Sequence, residues 1–128
     1  MTPAHLIATP LAYEMAVLTL YLDLPETPLR TGSSDPQRAR LWFERGVPLT
    51  IVHAALLLGS LRRLTRPSDA PRLPPIRSLA YFHPIVEELL EAPVSPGYLG
   101  YLQHKMQPYL RPSSGQQPSP APPRSPSG

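Results

Sequence analysis

The sequence predicts an all-α fold: a small bundle of four to five short, proline-bounded helices around a central apolar helix, with a disordered C-terminal tail. Three observations predict it. Apolar residues recur at spacings of three and four, the helix period, and no stretch alternates as a half-buried strand would. The 128 residues include 20 prolines, which cut the chain into segments too short for long helices. Cap-and-proline pairs stand where helices would start, at Thr9-Pro10, Asp35-Pro36 and Ser95-Pro96. Residues 1–110 are assigned to one helical domain. Residues 111–128, RPSSGQQPSPAPPRSPSG, are low in complexity and are assigned to the tail.

The first helix is capped by Thr9, carries Pro10 in its first turn and ends before Pro25. Leu11, Met15, Leu18 and Leu22 share one of its faces at spacings of four, three and four, and this is the face expected to meet the core. Residues 25–34 are rich in Pro, Thr, Gly and Ser and read as a loop, in which LPETP is an extended linker. Asp35 caps a second helix that stops at Gly46, where glycine can take the left-handed conformation. A third, from about Pro48 to Leu64, is the most apolar element and is expected at the centre, with Leu49, Val52 and Leu56 on one side and Ile51, Ala55 and Leu58 on another.

After a linker at 67–75 with four prolines in nine residues, IRSLAYFHPIVEELLEAP places Leu79, Phe82, Val86 and Leu89 at helical spacing. Pro84 removes a backbone donor in mid-segment, so a kink is expected there, or two helices meeting at His83. The last helix carries Leu99, Leu102 and Met106 as its apolar stripe, with Tyr98, Tyr101 and Lys105 on a neighbouring face.

The absence of cysteine excludes disulfides, thiolate metal sites and cysteine nucleophiles. Residues 1–13 have no Lys or Arg to form a secretory n-region, and the longest uncharged run, 46–61, is short of a membrane span. A cytoplasmic protein without a membrane partner is expected.

The segment RARLWFERGVPLTIVHAALLLGSLRRL reads as helix, glycine turn, helix. Its turn resembles that of helix-turn-helix proteins, but Trp42 stands where the motif usually keeps a small residue. Of the outward positions of the second helix only Thr50 and His53 could hydrogen-bond to a base edge. A core-forming hairpin is therefore preferred to a base-reading one. More widely, the pattern from Trp42 through GVPL and then IRSLAYFHPIVEELL, over roughly residues 12–106, resembles small bacterial helical proteins linked to replication or mobile elements. The resemblance implies association with DNA and supplies no catalytic positions.

Charge gives the candidate site. Residues 36–66 hold Arg38, Arg40, Arg45, Arg62, Arg63 and Arg66 against a single acidic residue, Glu44, which suits contact with nucleic-acid phosphates. The competing reading is that Arg62, Arg63 and Arg66 answer a helix C-terminal dipole while Arg38 and Arg40 are ordinary solvated side chains. Glu87, Glu88 and Glu91 make the following helix acidic, a polarity that can act within one chain or between subunits. Tyr98, Tyr101 and Lys105 could stack single-stranded nucleic acid or pack against a partner helix.

The four histidines are widely separated and lack metal-site spacing, and the glutamates read as a solvated face. No enzyme activity, cofactor, metal or small-molecule substrate is therefore expected. Two functions remain: a non-enzymatic DNA-associated accessory protein that holds the phosphate backbone through the arginine-rich hairpin, or a protein-interaction module, as a homodimer or with another protein, with the apolar third helix and the kinked Phe82–Leu90 segment as its interface.

Overall fold

The computed structural model describes residues 9–92 and 95–111, and the fold is all helical, as the sequence predicts. In order come α1 (Pro10–Leu22), α2 (Asp35–Glu44), α3 (Leu49–Leu64), a 3-10 turn (Leu79–Phe82), α4 (His83–Glu91), α5 (Tyr98–Met106) and a closing 3-10 turn (Gln107–Tyr109). No strand occurs among the described residues.

The helix boundaries follow local chemistry. Thr9 is extended and its Oγ accepts from Ala12 N at 3.2 Å, with Pro10 in the first turn where a missing N–H costs nothing. At the end of α2, Gly46 takes φ +78°. Val47 N then donates to Trp42 O and Gly46 N to Phe43 O, both at 3.0 Å, the paired bonds of a Schellman stop. Pro84 sits in the first turn of α4, so the expected junction at His83 is a 3-10 turn running directly into an α-helix.

α3 is central. It packs against α1, α4 and α5, and Val52, Ala54, Ala55, Leu56 and Leu57 along it are buried. Leu79, Phe82, Val86 and Leu89 close over it as their spacing predicts, and Leu102 and Met106 cover another side. The approach is close at Gly59, where an added Cβ would stand 2.7 Å from Ile85 Cδ1 and 2.8 Å from the Phe82 ring.

Five expectations are corrected. The third helix and the Phe82–Leu90 segment do not offer an open interface, because Val52, Ala54, Ala55, Leu56 and Leu57 and then Phe82, Val86 and Leu89 are buried within the chain. The last helix starts at Tyr98 with Gly97 as its N-cap residue, two positions beyond Pro96. The buried face of α1 is Tyr13, Val17 and Tyr21, which leaves Leu11 and Met15 exposed. The Tyr13 hydroxyl donates to Val47 O at 2.7 Å and its ring meets Phe43 edge-on, so the larger aromatic residues take the inward face. Asp35 does not cap its own helix; Ser34 is the N-cap residue, without a side-chain bond. The buried Asp35 carboxylate instead accepts from Gly32 N at 2.8 Å and Leu79 N at 3.0 Å, joining the α2 entry to the turn before α4. Arg111, assigned to the tail, belongs to the fold. Its backbone N–H donates to Asp23 O at 2.7 Å and its guanidinium donates to Thr27 O at 2.9 Å and Leu22 O at 3.3 Å. The rest of the expected tail, 112–128, lies outside the described residues.

Candidate functional site

The hairpin of α2 and α3 builds the core. Trp42 is buried and its indole N–H donates to His83 Nδ1 at 3.1 Å, tying the hairpin to α4. Ala54 and Leu57, outward positions in a DNA-reading arrangement, are buried, and burial of His53 pushes its pKa down.

The six candidate arginines divide by partner. Arg40 Nε reaches Glu14 on α1 at 2.6 Å, with Glu44 at 4.0 Å. Arg45 bonds to Glu87, and the hydrogen bond and charge of the guanidinium hold that carboxyl below its ordinary range. Arg62 grips Glu88 with two bonds of 3.0 and 2.6 Å and lowers its pKa in the same way. Arg63, its side chain only 6% exposed, donates to Glu26 at 2.8 Å, Pro74 O at 2.7 Å and the Tyr81 hydroxyl at 3.3 Å. The polarity between the arginine segment and the acidic helix is thus satisfied within one chain.

The other two form no salt bridge among the described residues, although the charge of Arg38 adds to the lowering of the Glu87 pKa. Arg38 lies 5.8 Å over the Trp42 ring, with Nη1 3.4 Å from His83 Nδ1. Since the Trp42 N–H can only donate, Nδ1 acts as its acceptor, and Nε2 lies 3.5 Å from Glu87. Arg66 donates to Pro71 O at 2.8 Å.

The second group of candidates is brought together as the spacing predicts. Tyr98 and Tyr101 stack at 6.2 Å and 20°, and Lys105 Nζ lies 5.9 Å over the Tyr101 ring. Tyr101 is exposed, while Tyr98 leans against the core.

Two features differ from the sequence reading. One is the α1 face of Leu11, Met15, Leu18 and Leu22, expected in the core, where Leu11 is 64% and Met15 60% exposed and Leu18 and Leu22 are half-buried. The other is a cleft of about 740 Å³ where the 67–75 segment folds back beside the end of α3, lined by Arg63, Arg66 and Arg72 among others. Arg72, placed by sequence in a linker, was the available signal. No group of three His, Asp or Glu suited to a metal occurs among the described residues, and no helix there is long and apolar enough to cross a membrane.

Compared with protein-family models, curated proteins and solved structures, the chain matches none.

Proposed function

We propose that the protein is a non-enzymatic interaction module that pairs with a second copy of itself through the outer face of α1. The exposure of Leu11 and Met15 carries this reading. With Leu18 and Leu22, which are half-buried and also touch the core, they follow the 4-3-4 spacing of a coiled-coil seam, on a helix whose Tyr13, Val17 and Tyr21 fill the core. Glu14 is the one charged residue of α1, and it is drawn aside to Arg40. A two-fold copy therefore meets an apolar seam without like charges, which suits a self-complementary contact.

Sedimentation at micromolar concentrations should give a mass near twice 14.1 kDa, and Leu11→Glu with Met15→Glu should return it to the monomer with helicity retained. A wild-type monomer at all concentrations overturns the reading. So does a dimer that the double variant leaves intact. If residues 1–8 cover this face instead, the double variant lowers the melting temperature of a protein that was monomeric throughout.

A second reading, a DNA-associated accessory protein, is supported by the two arginines of the cluster outside any salt bridge among the described residues, Arg38 and Arg66, and by the Tyr98, Tyr101 and Lys105 platform. Arg40, Arg45, Arg62 and Arg63 would have to leave or share a glutamate to reach a phosphate. Salt-dependent binding of a duplex or single-stranded probe that Arg66→Ala weakens and Arg62→Ala spares would favour it.

A further inference from the structure

The segment after α3 is proline-rich, yet it is folded back and fixed. Ala70 N donates to Pro67 O at 3.0 Å, closing a turn. Arg66 then holds Pro71 O at 2.8 Å and Arg63 holds Pro74 O at 2.7 Å. Proline supplies no N–H and little freedom, so two arginine-to-carbonyl bonds are enough to set the wall of a concavity before anything binds. On the facing rim Glu26 sits at φ +68°, a conformation that residues other than glycine seldom adopt. Its carbonyl accepts from Ile76 N at 3.1 Å and its carboxylate pairs with Arg63. Surroundings that hold a residue in that region often belong to a ligand site.

Charge defines what the cleft would take. Its lining includes Arg63, Arg66, Arg72 and Glu26. Glu26 is occupied by Arg63, whereas Arg66 and Arg72 have no carboxylate among the described residues, and Arg72 has no hydrogen-bond partner there either. Two guanidinium groups without an ion-pair partner therefore share this surface with a Glu26 carboxylate that Arg63 already holds. Ser68 adds a hydroxyl, and Leu73 with the proline rings adds apolar wall. At about 740 Å³ the cleft lies within the range of small-molecule sites.

We propose that this cleft binds the phosphate group of a small phosphorylated ligand, with Arg66 and Arg72 as its contacts, Arg63 as the fixed wall and Leu73 beneath the non-phosphate part. Guanidinium groups bind phosphate through forked, charge-assisted hydrogen bonds, and a doubly charged phosphate matches two of them. The site shares no residue with the α1 seam and does not depend on self-association.

The test is calorimetric titration of the full chain with inorganic pyrophosphate, ADP and adenosine. Pyrophosphate and ADP should saturate one site while adenosine fails to bind. Arg72→Ala and Arg66→Ala should each weaken binding about tenfold or more, the effect of losing one charge-assisted contact. Arg72 holds nothing in the fold, so its variant should melt and sediment like the wild type, whatever the oligomeric state proves to be. Displacement of bound pyrophosphate by oligothymidylate, lost in Arg72→Ala, would support the site and assign its phosphate to a nucleic-acid backbone. Absence of pyrophosphate and ADP binding at millimolar concentration overturns the proposal, as does binding that both variants leave unchanged.

Discussion

α1 and α3 are both rich in leucine, valine and alanine, but they are used differently. α3 is enclosed by α1, α4 and α5, so its residues are buried on nearly every side along its middle. α1 packs against α2 and α3 and stays open at Leu11 and Met15. Its inward residues, Tyr13, Val17 and Tyr21, are at most 3% exposed, while Leu11 and Met15 stand out in solvent. Apolar composition therefore marks a helix that can be surrounded, and the number of neighbours decides whether it is. In α3 the chain supplies the neighbours itself; on α1 it leaves Leu11 and Met15 exposed.

The largest expected effect tests that contrast directly. Leu56→Ala on α3 removes a fully buried side chain and should destabilise the fold by about 2–5 kcal/mol. Leu11→Ala on α1 should change the unfolding free energy of the monomer by less than about 0.5 kcal/mol. Denaturant melts at the lowest usable concentration make the comparison. Equal losses at that dilution would break it, because Leu11 would then be buried within its own chain.

An intermediate effect concerns what covers α3. Asp35 is 1% exposed and accepts from both Gly32 N and Leu79 N, so it fixes the turn that delivers Leu79 and Phe82 onto the helix. Asp35→Ala leaves those N–H groups without their acceptor and should cost on the order of 2–3 kcal/mol, and Asp35→Asn should cost less because one oxygen still accepts. Chemical denaturation of the two variants beside the wild type gives the ranking. An Ala variant as stable as the wild type would show that the turn is held by packing alone.

Legibility in the sequence follows the range of the forces involved. The helix starts at Thr9-Pro10 and Pro84 and the stop at Gly46 are local, and they are found where the residues place them. The stripe of Leu79, Phe82, Val86 and Leu89 is one-sided, so its period identifies the buried face. α1 is apolar almost all round, and period alone cannot choose between its two faces; the choice came from Tyr13 reaching Val47 O, 34 residues away. The arginines were visible as a cluster, but their glutamates lie from 26 to 42 positions distant along the chain. The Arg66 and Arg72 cleft was hidden because it exists only after a proline-rich segment turns back onto the end of α3.

The smallest expected effect tests the cover of α3 by titration. His53 lies on α3, and burial lowers its pKa from the ordinary 6.5. Above that value the ring is neutral in both folded and unfolded chains, and it contributes nothing to the pH dependence. As pH falls through 6.5 the unfolded chain takes up the proton first, so stability declines until the folded ring also titrates. Glu87 and Glu88 act in another window: their pKa values are lowered by Arg45 and Arg62, so their contribution is present above the ordinary 4.5 and is lost below it. Thermal melts from about pH 7.5 to pH 5.5 therefore leave these glutamates ionised throughout, and the difference between the wild type and His53→Gln reads His53. The wild type should lose melting temperature across that interval and His53→Gln should lose less. Parallel curves would mean that His53 is as well solvated in the fold as in the unfolded chain, and α3 would then be open on the flank that carries it.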